Sequence, residues 1–150
     1  MNDVIPMWDQ LPDLSWAEKL AYLTHQFLTM EQTECPVEHS FEGQLYVRDM
    51  HIPAGTLFLG RAHRYGHMCQ LLQGSIILIE ESRRTHLEAP YEMFTTPGYQ
   101  MVLYAITDVH GRTVHPNPDG SRDTQALEAD IFEPVDELKA LGADLHKRLT

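Results

Sequence analysis

Between residues 45 and 132 the chain cannot form long helices, because turn residues cut it into short pieces. Pro53-Ala54-Gly55, Gly74, Pro90, Pro97-Gly98, Gly111 and Pro116-Asn117-Pro118-Asp119-Gly120 separate runs rich in β-branched and aromatic residues. The runs predict strands near 45–52, 56–61, 67–72, 75–80, 84–88, 91–95, 100–106, 112–115 and 128–132. Many short strands at this spacing build a sandwich, jelly roll or barrel rather than βαβ units. The expected class is all-β.

The flanks read differently. Ser15-Trp16-Ala17-Glu18 has the capping-box pattern, and Trp16, Leu20, Leu23 and Phe27 follow at helical spacing to about residue 29. Val135, Leu138, Leu141 and Leu145 repeat among charges near the C-terminus and predict a second, short helix. The organisation expected is one domain over 1–150: a helical extension at 1–44, a β-barrel at 45–132 and a helix at 133–150. A chain of this length buries an ordinary core without staples. The helical stripe needs a surface to cover it, and a homo-oligomer, a dimer above all, is the expected partner.

Charge narrows the functions. With 22 Asp and Glu against 11 Lys and Arg, the formal net charge is −11, which repels phosphate backbones and anionic lipid heads. Neither nucleic acid nor membrane is an expected partner. No stretch approaches the roughly 20 apolar residues of a membrane span, and MNDVIPMWDQ lacks the pattern of a secretory signal. Two cysteines, Cys35 and Cys69, make no disulfide framework, so a reducing cytoplasm with free thiols is expected.

The stretch with most chemistry is GRAHRYGHMCQLLQG, residues 60–74. His63 and His67 are four apart, and strand parity points them the same way if the turn through Gly66 preserves it. Neutral imidazole suits Fe, Ni, Cu and Zn. Two imidazoles bind a metal weakly, so a third ligand is needed. Met101 is a poor candidate, being soft and neutral, and His115 is a better one. If the hairpin after residue 101 has an odd loop centred on His110, His115 lies opposite Ala105; an even loop puts it opposite Tyr104 or Ile106. Cys69 shares the parity of His67 but reads more simply as a small buried hydrophobe. His51, His86 and His110 read as solvated. No glycine-rich phosphate loop and no G-x-S-x-G elbow occurs.

The same stretch carries a resemblance. Gly55, five residues, Arg61-Ala62-His63, three residues, His67, six residues and Gly74 follow the spacing of the first cupin motif. His67 stands where that motif has glutamate and Arg61 where it has its first histidine. In the looser second motif, Pro97-Gly98 is followed by Met101 at the histidine position. Over roughly residues 45–132 the chain resembles the cupin superfamily, the RmlC-like jelly rolls. More narrowly it is similar to short single-domain cupins of tailed bacteriophages and prophages, through Tyr46 to Gly55, Ala89-Pro90-Tyr91, Thr96-Pro97-Gly98 and Thr113-Val114-His115-Pro116. The resemblance implies a single cupin β-barrel, or double-stranded jelly roll, with ligands on inward-facing side chains.

The expected metal set is His63, His67 and His115 around a divalent transition metal, Zn, Ni or Fe, with Arg61, Tyr65 and Met101 contacting a small polar molecule. Catalytic residues are not assigned. Three classes of function follow: a metal-dependent enzyme, a cupin that sequesters a ligand without metal, and a structural or assembly component of a phage particle. The expected location is the cytoplasm, that of the host cell for a phage protein, or the virion.

Overall fold

In a computed structural model, which describes residues 13–149, the β-rich run forms two sheets. The strands are β1 (Val37–Glu42), β2 (Leu45–Ile52), β3 (Leu57–Leu59), β4 (Met68–Gln73), β5 (Ser75–Ile79), β6 (Arg84–Glu88), β7 (Tyr91–Phe94), β8 (Val102–Ala105) and β9 (Val109–Pro116). One sheet has the order β1-β2-β9-β4-β7 and the other β3-β8-β5-β6. All pairings are antiparallel. The core lies between the sheets, where Ile52, Leu71 and Val109 of the first meet Ile76, Leu103 and Ala105 of the second. Alternation puts Arg48, Met50 and Ile52 of β2 on the same face as their β9 partners Thr113, Gly111 and Val109.

The strand expectations from 45 to 105 meet their elements with ends trimmed by a few residues. Three departures matter. β1 lies in the stretch expected to be a helical extension; it pairs with β2 through a turn at Gly43-Gln44. Its sequence VEHSFE is too polar to announce a strand, and the neighbouring strand holds it. The strand expected at 128–132 is instead helix α2 (Thr124–Ile131), capped by Asp123, whose carboxylate accepts from the Ala126 N–H. Only Phe132, after the helix, returns to extended backbone and bridges His63.

The third departure is the hairpin expected to carry His115. β8 and β9 do not pair. The Ile106 and Thr107 N–H groups donate to the Ser75 carbonyl, and the chain crosses there from one sheet to the other. β9 then lies between β2 and β4, with His115 opposite Tyr46. The crossing point explains Gly74: its φ is +103°, and a Cβ there would collide with the Asp108 carbonyl.

The helices α1 (Trp16–Leu28) and α3 (Asp136–Leu149) belong to a separate compact unit, formed by residues before Glu34 and after Glu133. The capping box at α1 is complete, with Ser15 Oγ accepting from the Glu18 N–H and Glu18 from that of Ser15. Leu20, Ala21 and Leu23 are buried against α3, where Gly142 lets the helices approach so closely that a Cβ would strike the Ala21 carbonyl. Among the described residues, no helix is long and apolar enough to cross a membrane.

Candidate ligand cavity and histidine cluster

His63 and His67 flank a tight turn, and three features of that turn bring them together. His63 is tied down by the bridge to Phe132 and by its N–H, which donates to the Tyr99 carbonyl. His67 is pinned by Thr95, which accepts from the His67 N–H at 3.1 Å and donates its own N–H to the His67 carbonyl. Gly66 is needed for space rather than for conformational freedom: a Cβ there would lie 2.5 Å from the Thr95 carbonyl oxygen. The two imidazoles stack with centroids 4.0 Å apart. His115 arrives from β9, its ring 5.0 Å from His67 and 5.7 Å from His63.

Carbonyl partners fix the tautomers of His63 and His67. His63 Nδ1 lies 3.1 Å from the Arg61 carbonyl, which only accepts, so Nδ1 carries the proton and Nε2 is a bare lone pair. His67 Nδ1 lies 3.4 Å from the Tyr65 carbonyl, an acceptor only, and 3.0 Å from Thr95 Oγ1, so it carries the proton and leaves its Nε2 to accept from the Cys69 thiol at 3.2 Å. His115 Nε2 meets Thr113 Oγ1 at 2.8 Å. Burial lowers the pKa of all three rings, that of His63 to about 4 and that of His115 to about 3. The Arg48 guanidinium adds to the shift in each case. Burial also pushes the Cys69 thiol up to about 12. The cluster is uncharged at neutral pH.

His63 and His67 border a cavity of about 330 Å³ between the sheets. His63, His67, Cys69, Arg48 and Arg61 line it, with Gln70, Tyr91, Tyr99, Arg112, Thr113 and Glu128 as further polar members, while Phe58, Leu71, Leu78, Met93, Met101 and Leu103 are among its apolar ones. Phe132 organises the cationic side: the Arg48 and Arg61 guanidinium carbons stand 4.8 and 4.6 Å from its ring centroid. The His63 ring meets it edge-on at 4.7 Å.

Of the residues singled out in the sequence, His63, His67, Arg61 and Met101 line the cavity. His115, 3% exposed, stands behind the first two and outside the lining, against the Tyr46 ring. Tyr65 is 57% exposed and not part of the cavity. It sits in the bend between His63 and His67, outside any strand, so no strand parity ties it to His67. His110 is not solvated as expected: its Nε2 and Arg112 Nε both bond Asp49 Oδ1, at 2.6 and 2.9 Å. Arg48 and Phe132 escaped the sequence reading. Arg48 had one usable signal, its parity with Tyr46, Met50 and Ile52 on an otherwise apolar strand face.

A metal centre needs donors converging on one point. His63 Nε2 is free for this, but the Nε2 atoms of His67 and His115 are already engaged. Among the described residues no group of three His, Cys, Asp or Glu side chains is arranged to hold an ion. The rings supply the right donor chemistry in an arrangement that does not fit a three-ligand centre.

No protein-family model matches the chain, and no curated protein matches it by sequence. Among solved structures it is similar to salicylate 1,2-dioxygenase from Pseudoaminobacter salicylatoxidans in adducts with gentisate, with a TM-score of 0.50 and 16% identity, over 73% of this chain and 32% of that one. An RmlC-like cupin family protein with a double-stranded β-helix fold from Methanocaldococcus jannaschii gives 0.47 at 13% identity, over 59% of this chain and 86% of that one. A protein with a double-stranded β-helix domain from Klebsiella pneumoniae gives 0.49 at 14%, over 61% and 84%. Likeness at these identities concerns the fold alone, which among the described residues is two antiparallel sheets enclosing a cavity.

Proposed function

We propose that the protein binds a small molecule between its sheets, the histidine–arginine end of the cavity recognising the ligand's polar group. One observation carries this reading. Arg48, Arg61, His63 and His67 line one cavity, and Arg48 Nε and His63 Nε2 are buried without a hydrogen-bond partner among the described residues. Leaving a buried polar group unpaired costs about 1–3 kcal/mol, and a ligand that draws either side chain into contact relieves it. The apolar walls add the area that most ligand sites supply.

The second reading is a divalent transition metal on His63 and His67. In its favour, the Nδ1–H of each ring is held by an oxygen acceptor, which is the orientation a metal-bound imidazole takes. A metal there would polarise a ligand's oxygen. Against it stand the engaged Nε2 of His67 and the positive Arg48 nearby.

Elemental analysis of protein purified without added metal, together with native mass spectrometry after gentle desalting, tests both. The cavity reading expects sub-stoichiometric metal and a retained or exchangeable organic molecule, whose binding Met101→Trp blocks by filling the cavity. Stoichiometric metal that disappears in both His63→Ala and His67→Ala would replace it with the metal reading.

A further inference from the structure

The charge of the cavity runs against that of the chain. Among the described residues its charged lining is Arg48, Arg61, Arg112 and Glu128, three cations and one anion, in a chain of net charge −11. Arg112 is paired with Asp49, whose Oδ1 accepts from its Nε at 2.9 Å. Arg61 is exposed, and water screens its charge. Arg48 is different: its side chain is 11% exposed, and its guanidinium carbon stands 4.8 Å from the Phe132 ring centroid. The His63 ring meets the same phenyl ring edge-on at 4.7 Å, so one side chain carries both a fixed cation and an imidazole. Arg48 also donates a hydrogen bond to the Tyr46 hydroxyl, which holds it from a second side. Glu128 offsets part of the charge, but its carboxylate is shared, 3.8 Å from Arg48 Nη2 and 3.8 Å from His39 Nε2.

Ligand chemistry alone does not set a metal ion apart from this cluster. The hydrogen bond on His67 Nε2 comes from a thiol, a weak donor that gives way to a metal. A guanidinium packed beside the rings does not give way. Burial is the larger cause of the lowered pKa of His63, His67 and His115, but Arg48 contributes to each, so all three rings feel its positive charge. A divalent ion on the same nitrogens meets the same repulsion at twice the charge. We infer that Arg48 is the residue that keeps divalent metal ions off His63 and His67. This rests on the cavity reading above and adds to it the side chain that selects against metal.

Isothermal titration calorimetry with Zn²⁺ on the full, chelator-treated chain tests this, the double variant His63→Ala/His67→Ala giving the background from the other histidines. Arg48→Met keeps an apolar stem and removes the charge. It should bind Zn²⁺ about tenfold more tightly than the parent, and adding His63→Ala should abolish the gain. Arg48→Lys keeps the charge and should stay at the affinity of the parent. Melting curves confirm that each variant is folded, and Arg48→Gln takes the place of Arg48→Met if the latter is not. Folded Arg48→Met or Arg48→Gln with the affinity of the parent, or Arg48→Lys gaining as much as they do, overturns the role of Arg48 while the cavity reading stands. A parent that already binds Zn²⁺ stoichiometrically, and loses it in both His63→Ala and His67→Ala, overturns both.

Discussion

His63 and His67 stack at 4.0 Å, yet only one of them has a nitrogen to spare. Thr95 and Cys69 hold both ends of the His67 ring, so it serves as a fixed wall against which His63 is presented. The bare Nε2 of His63 is buried without a hydrogen-bond partner.

Thr95→Val tests that division of labour. The substitution keeps the side-chain shape and removes the oxygen that accepts from both the His67 N–H and its Nδ1. Loss of about 1–2 kcal/mol of unfolding free energy is expected for two buried donors left with weaker partners. Histidine ring resonances should show His67 becoming a mixture of tautomers while His63 keeps its own. Unchanged His67 resonances would rule out Thr95 as the positioning group.

The buried histidines predict a direction for acid sensitivity. Burial holds His63 near 4 and His115 near 3, below the ordinary 6.5, so the unfolded chain takes up protons first as pH falls. Their contribution is fully present above about 6.5 and is lost progressively down to the folded values. For His115, the more deeply buried, the loss by pH 4 is on the order of 3 kcal/mol. Urea unfolding of chelator-treated protein at pH 7.5, 6, 5 and 4 measures it. His115→Gln should flatten the slope between 6.5 and 4, and a slope identical to that of the parent would reject the assignment.

How far the sequence speaks depends on whether a feature is local. β2 to β8 were legible because runs rich in β-formers lie between turn residues whose job is done within a few positions. The Gly55–Gly74 frame likewise anticipated His63 beside His67, since both lie on one turn. β1 was not legible, because only pairing with β2 makes VEHSFE a strand. The partner of His115 depended on which sheet β9 joins, and no local pattern records a crossing at Ile106–Asp108. Arg48 and Phe132 meet from 84 positions apart in the chain, so their contact appears only once α2 returns the chain to His63.

Gly66→Ala is expected to be costly although Gly66 is exposed. The added methyl meets the Thr95 backbone, which cannot swing aside as a side chain would. Overpacking of this kind costs about 1–3 kcal/mol, and here it also pushes Thr95 off His67. Gly98→Ala is a useful contrast: nothing lies within 4 Å of its Cβ position, and its φ of +86° strains only its own turn. Gly66→Ala should alter the histidine resonances, and Gly98→Ala should leave them in place. The reverse pattern would sink this account of the turn.

Asp49 does not line the cavity, is only 9% exposed, and accepts from His110 Nε2 and Arg112 Nε of β9. Burial alone would raise its pKa, but the hydrogen bonds from His110 and Arg112 outweigh burial and leave it lowered. The carboxylate is therefore a clamp between adjacent strands, with His51, itself bonded to Glu38 at 3.1 Å, stacked on His110 at 4.5 Å. Asp49→Ala leaves a part-buried guanidinium and an imidazole without their acceptor, and a loss of about 2–3 kcal/mol is expected by urea unfolding at pH 7. Asp49→Asn keeps one acceptor oxygen but not the charge and should cost about half as much. Because the folded carboxyl titrates below its unfolded value, the clamp contributes fully above about pH 4 and fades below it. The penalty of Asp49→Ala should therefore shrink when measured at pH 3. A penalty independent of pH would assign the loss to packing instead of charge.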